Sequence, residues 1–143
     1  MRSTRVTVLA IIGLLTVTAA ASAAPPQGPG SLDPSFGTGG LAAIEMDSTP
    51  IVQFDPAADL VLDSEERAIV AGTVGTISSQ IGLARLTPAG QLDPSFGGDG
   101  KVLGPIGGAR AVAVDASAGV LVAGYAQPFA GAAVLRYNAD GSL

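Results

Sequence analysis

The chain has 143 residues, 48% of them hydrophobic and 13% charged, with 20 Gly and 10 Pro. That is enough apolar material for one domain with a core, and too much for a disordered chain. Seven Lys and Arg stand against twelve Asp and Glu, and there is no His and no Cys. These absences exclude Ser-His-Asp and Cys-His triads, thiolate chemistry, haem attachment, ordinary zinc sites and disulfides.

Residues 1–23 read as a signal peptide. Arg2 and Arg5 form a basic n-region, Val6 to Val17 is mostly apolar, and Ala21-Ser22-Ala23 has the small-x-small form of a cleavage site. The apolar run is shorter than the roughly 20 residues a helix needs to cross a bilayer. The expectation is cleavage near Ala23, with no stable membrane insertion afterwards and a secreted, extracytoplasmic product. Without the leader, four scattered Arg and one Lys remain. Phosphate binding needs clustered cations, so nucleic acid is not an expected partner. Residues 24–30, rich in Pro and Gly, read as a linker.

The rest is an internal repeat. Leu32-Asp33-Pro34-Ser35-Phe36-Gly37 recurs sixty residues later as Leu92-Asp93-Pro94-Ser95-Phe96-Gly97. Ala68-Ile69-Val70-Ala71-Gly72 answers Val120-Leu121-Val122-Ala123-Gly124, and Leu83-Ala84-Arg85-Leu86 answers Val134-Leu135-Arg136-Tyr137, at offsets of 52 and 51. The first unit is 31–91 and the second 92–143. Each hexapeptide reads as a corner: Pro presets φ, and the Asp carboxylate can take the N–H of Ser35 or Phe36 and of their counterparts.

In chain order, strands are expected at Leu41–Ile44, Asp59–Leu62, Arg67–Thr73 and Gln80–Leu86. In the second unit they fall at Lys101–Leu103, Ala111–Val114, Gly119–Tyr125 and Ala132–Tyr137. All are short and bounded by Gly, Pro, Asp or Ser. The fold class is all-β, as two four-stranded antiparallel units like blades of an incomplete propeller; a short β-solenoid is the alternative. Turns opened by Asp63 and Asp115 join the middle strands as hairpins.

The hexapeptide, the Gly-rich turn after it, the Val-Ala-Gly strand and the ending Leu135-Arg136-Tyr137-Asn138-Ala139-Asp140-Gly141-Ser142-Leu143 together resemble the delta-60 repeat, a bacterial family regarded as β-propeller-like. The resemblance covers residues 31–143. It implies a propeller-type fold and an exported location, and it brings no catalytic residues. The first unit departs from it at Thr87-Pro88-Ala89-Gly90 and at Ser64-Glu65-Glu66, both in turns.

Candidate chemistry is sparse. Asn138-x-Asp140-Gly141 begins like an acidic cation loop but lacks the later Glu, and reads better as a turn. Glu45, Asp47, Asp55, Glu65 and Glu66 supply carboxylates for glycosidase chemistry, yet no aromatic platform accompanies them. No catalytic, metal or cofactor-binding residue is assigned, and no cofactor is expected. Recurring residues such as Asp33 and Asp93, Asp63 and Asp115, and Arg85 and Arg136 read as structural. The units differ most at residues 45–56, eight residues longer than the counterpart. Glu45, Asp47, Gln53, Phe54 and Asp55 there form the candidate binding loop. The functional reading is a non-enzymatic binding scaffold with an unknown extracellular ligand, completed by a homo-oligomer or by further blades of a longer chain. A propeller-type hydrolase or lyase with its active site in other blades is the alternative.

Overall fold

The computed structural model describes residues 28–46, 56–75, 78–128 and 131–143. The proposed leader, and residues 47–55 of the candidate loop, lie outside them. The described residues form an all-β structure of six strands: β1 (Ala57–Leu62), β2 (Ala68–Val74), β3 (Gln80–Leu86), β4 (Lys101–Val114), β5 (Val120–Ala126) and β6 (Ala132–Tyr137). They pair in sequence order, every neighbour antiparallel, as one curled sheet consistent with an incomplete propeller.

Two details differ from the sequence reading. Lys101–Leu103 and Ala111–Val114 are parts of one 14-residue strand, β4, despite the intervening Gly-Pro-Ile-Gly-Gly. The first half of β4 pairs with β3 and the second half with β5. The exchange of partners happens between two residues: Gly107 N–H still donates to Ser79 on the β3 side, while Ile106 C=O accepts Gln127 N–H on the β5 side, both at 2.8 Å. Pro105 lies within the register irregularity opposite Gln80 and Gly82, where a missing N–H breaks no ladder bond. The other difference is Leu41–Ile44, which is not a strand; Leu41 makes a single bridge to Gly37. Its counterpart, the start of β4, is extended because β3 lies beside it. No such neighbour stands beside residues 41–44 among the described residues, and a strand needs a partner for its backbone groups.

Side-chain alternation gives each unit two faces. Val61, Ile69, Ala71, Ile81 and Leu83 of the first unit pack against Ala109, Val112, Val120, Val122 and Tyr137 of the second, with Phe96 closing the gap. The main core is thus the seam between repeats; Ala68, Val74, Ala84 and Leu86 of the first unit are buried outside it. Each fully buried aliphatic side chain in the seam contributes about 1.5–3 kcal/mol. The long strand accounts for the connection: β4 continues from one unit into the other, pairing with β3 and then with β5 across register irregularities at Gln80/Gly82 and Ala109/Ala111.

Within the seam the Tyr137 hydroxyl is buried and has no hydrogen-bond partner among the described residues. Burial alone raises its pKa above the ordinary phenol value. It fits because residue 104 is Gly; a Cβ there would collide with the Tyr137 oxygen. A buried hydroxyl without a partner costs about 1–3 kcal/mol. Tyr137→Phe keeps the ring and removes that cost, so its urea-unfolding free energy is expected to exceed wild type by about 1 kcal/mol.

Candidate functional site

The two hexapeptide corners are built alike. In the first, Asp33 Oδ1 accepts the Ser35 N–H at 2.9 Å and the Ser35 hydroxyl at 2.7 Å. In the second, Asp93 Oδ1 accepts the same groups of Ser95 at 3.0 and 2.7 Å. The Phe N–H donates instead to the backbone carbonyl of the Asp, at 3.1 Å in the first corner and 3.0 Å in the second. Each corner then docks on the turn that ends its own unit: Gly37 N–H donates to Ala89 C=O and Gly97 N–H to Asp140 C=O, both at 2.8 Å. Gly37 and Gly97 have φ of 56° and 65°. A Cβ at either would meet the carbonyl of Leu41 or Lys101, so the hexapeptide must end in Gly.

The repeated arginines do not behave alike. Arg85, on β3, donates from Nε to Asp93 Oδ2 at 2.8 Å, from one terminal nitrogen to the Ser95 hydroxyl at 2.8 Å and from the other to Ala139 C=O at 2.6 Å. Its guanidinium lies 4.8 Å from the Phe96 ring centroid, within cation–π range. One side chain of the first unit thereby holds both the corner and the closing turn of the second. Arg136, in the same place on β6, is half exposed and turns back to Asp115 Oδ2 and the Ser117 hydroxyl of its own unit. Asp33 has no cation partner among the described residues. Sequence reading missed Arg67, which reaches Asp63 Oδ2 at 2.7 Å and approaches Asp93 at 3.6 Å. No repeat signal marks it, because Gly119 holds the corresponding position.

The hairpin turns follow the same logic. Asp63 Oδ1 accepts N–H groups of Glu65 and Arg67, and Asp115 Oδ1 accepts those of Ser117 and Gly119. A cleft of about 560 Å3 separates these turns, lined by Asp63, Ser64, Asp115 and Ser117. Asp140 takes the N–H and hydroxyl of Ser142 at 2.9 and 2.8 Å, which makes Asn138–Gly141 a turn. Among the described residues there is no cluster of three or more His, Cys, Asp or Glu placed to hold a metal ion. Nor does any helix long and apolar enough to cross a membrane occur there.

Of the candidate binding loop, Glu45 is exposed and its backbone carbonyl accepts Lys101 Nζ at 3.1 Å. Asp47, Gln53, Phe54 and Asp55 lie outside the described residues. Met46 and Pro56, which bracket that stretch, line an open apolar groove of about 240 Å3 with Ala42, Ile44, Val70 and Ala84.

The turn carboxylates are shifted in one direction. The Ser95 hydroxyl, against the opposing effect of burial, holds Asp93 below the ordinary carboxyl value of 3.8, with the Ser95 N–H and Arg85 adding to it. At Asp115 the Ser117 hydroxyl and the Gly119 N–H do the same, and the shift is large. For Asp63, burial raises the pKa, but Arg67 and two backbone N–H groups outweigh it. A carboxylate depressed in the folded state stabilises it fully above the unfolded value and loses that contribution as pH falls through the folded one. The urea midpoint is therefore expected to be flat from about pH 5 to 8, where this His-free chain has no ordinary side-chain titration, and to fall below about pH 4. Asp93→Asn should flatten part of that acid limb. The arginines should separate sharply as well. Arg85→Ala takes the close ion-pair partner from a largely buried carboxylate, leaving it only Arg67 at 3.6 Å, and should cost about 3 kcal/mol, whereas Arg136→Ala at the exposed position should leave the midpoint nearly unchanged.

Two segments of the chain, residues 69–96 and 120–143, match the family model described as "Domain of unknown function (DUF5122) beta-propeller". No curated protein and no solved structure gives a match. The first segment holds most of β2, all of β3 and nearly all of the second corner; the other holds β5, β6 and the turn that corner docks on. The chain thus carries propeller-type repeats similar, over these two segments, to the DUF5122 β-propeller domain.

Proposed function

We propose that this chain is an exported, non-enzymatic scaffold of the delta-60 repeat kind, from a bacterium, which binds an extracellular ligand through the insertion at residues 45–56. The observation that carries this reading is the use of the recurring acids. Asp33, Asp63, Asp93, Asp115 and Asp140 each hold an N–H of their own turn. Groups committed to turn geometry, with pKa values driven down, are poor general acids, because a catalytic acid must hold a proton near the working pH. The repeat thus supplies a rigid frame, and specificity belongs to the segment in which the units differ. Export is supported by the basic, apolar and small-x-small order of residues 1–23.

Expression of the full chain with its own leader in a bacterial host should give a mature polypeptide in the extracytoplasmic fraction, beginning at Ala24 by N-terminal sequencing. Protein that stays in the cytoplasm with residues 1–23 attached would sink the exported reading.

A further inference from the structure

The seam between the two units is a heterologous contact, one face of the first unit against the opposite face of the second. Because the units share one plan, each unit also carries the other half of such a seam. On the first unit that half is open at its β1 side: Leu60, the counterpart of Val112, is 53% exposed where Val112 is 8%, whereas Ala68 and Leu86, the counterparts of Val120 and Tyr137, are already buried and line a cavity with Phe36, Ala42 and Ile44. On the second unit the other half is open too: Val134, the counterpart of Leu83, is 68% exposed where Leu83 is 1%. Among the described residues β6 is an edge strand, while its counterpart β3 is paired along its outer edge by the start of β4. The segment equivalent to the start of β4, residues 41–46, has no strand beside it among the described residues.

Polar groups tell the same story. The first corner presents the arrangement that Arg85 grips in the second: Asp33 and Ser35 are already joined at 2.9 and 2.7 Å, and among the described residues no cation reaches them. The matching plug is Arg136, whose side chain is 51% exposed, against 4% for Arg85. The carbonyl corresponding to Ala139, which Arg85 also grips, is that of the exposed Pro88.

We infer that a second copy of this chain docks head to tail on the first, the β6 side of one copy meeting residues 41–46 and the β1 face of the next, with Arg136 gripping Asp33 and Ser35 across the junction. The occupant is another copy because the observed seam within the chain is the template for the contact: apolar face, strand edge, arginine and corner all recur at corresponding positions. Such a contact does not use up its own surfaces, since each added copy presents a new free head or tail; it ends only when the rotation per copy closes a ring. With two units per copy, roughly two to four copies would give the four to eight blades of a propeller. The inference does not depend on export or on the ligand-binding reading.

The test uses the full mature chain and two substitutions at exposed positions, Leu60→Glu on the head and Val134→Glu on the tail, with circular dichroism to check the fold. By light scattering after size exclusion, the wild type should show at least twice the single-chain mass, and each variant alone the single-chain mass. An equimolar mixture of the two variants should return to twice that mass, because one intact junction can form between a Val134→Glu copy's head and a Leu60→Glu copy's tail. A wild type at single-chain mass up to high micromolar concentration overturns the inference. So does a mixture that stays monomeric, or a variant that assembles as the wild type does.

Discussion

The guanidinium of Arg85 is the charge on which the relation between the two repeats depends. It is taken almost entirely out of water, which is costly unless its donors are met and an opposite charge is close. Both conditions hold: a carboxylate, a hydroxyl and a carbonyl accept its hydrogen bonds, and an aromatic ring covers its face. All four partners come from the second unit, so the arginine's requirements fix where that unit sits. The apolar seam supplies most of the favourable energy, but it is non-directional. The arginine gives it direction.

A second constraint is that the main buried cluster draws on both units, with Ala68, Val74, Ala84 and Leu86 of the first unit buried outside it. Ile69 and Leu83 are buried by Val112 and Val122, residues of the other repeat. That is the behaviour of stacked repeats, in which stability sits largely in the contacts between neighbours. It also explains why a chain with no disulfide can hold together, since β4 carries the covalent connection directly through the seam instead of around it.

Much of this was legible in the sequence. The strands β3 and β6 have the boundaries their apolar pattern gives, because Ser79 and Thr87-Pro88 bound the first and Gly131 and Asn138 the second. The Asp-Pro-Ser corners were readable because turn chemistry is local: an Asp carboxylate two residues before an N–H needs no tertiary contact to find it. What was hidden depended on neighbours. Gly104-Pro105 reads as a break, and only the exchange of partners between β3 and β5 makes it a passage. Residues 41–44 carry a strand's pattern without a strand's partner. Arg85 and Arg136 are equivalent in the repeat yet one is buried and the other half exposed, a difference set by whether a corner lies beside them. The candidate loop illustrates the opposite limit, for the insertion was visible as a length difference while its geometry, beyond Glu45 and Met46, was not.

The shared strand has a consequence for how the molecule comes apart. In most tandem arrays a repeat at the end can fray while its neighbour stays folded, because a loop separates them. Here the last strand of one unit and the first of the next are the same run of backbone within one sheet, with Gly107 bonded to the β3 side and Ile106 to the β5 side. Peeling the second unit away would strip the outer edge of β3 at the same moment and expose both halves of the core. The shared strand couples the two repeats, so amide exchange through β3, β4 and β5 should follow a single global opening instead of two local ones.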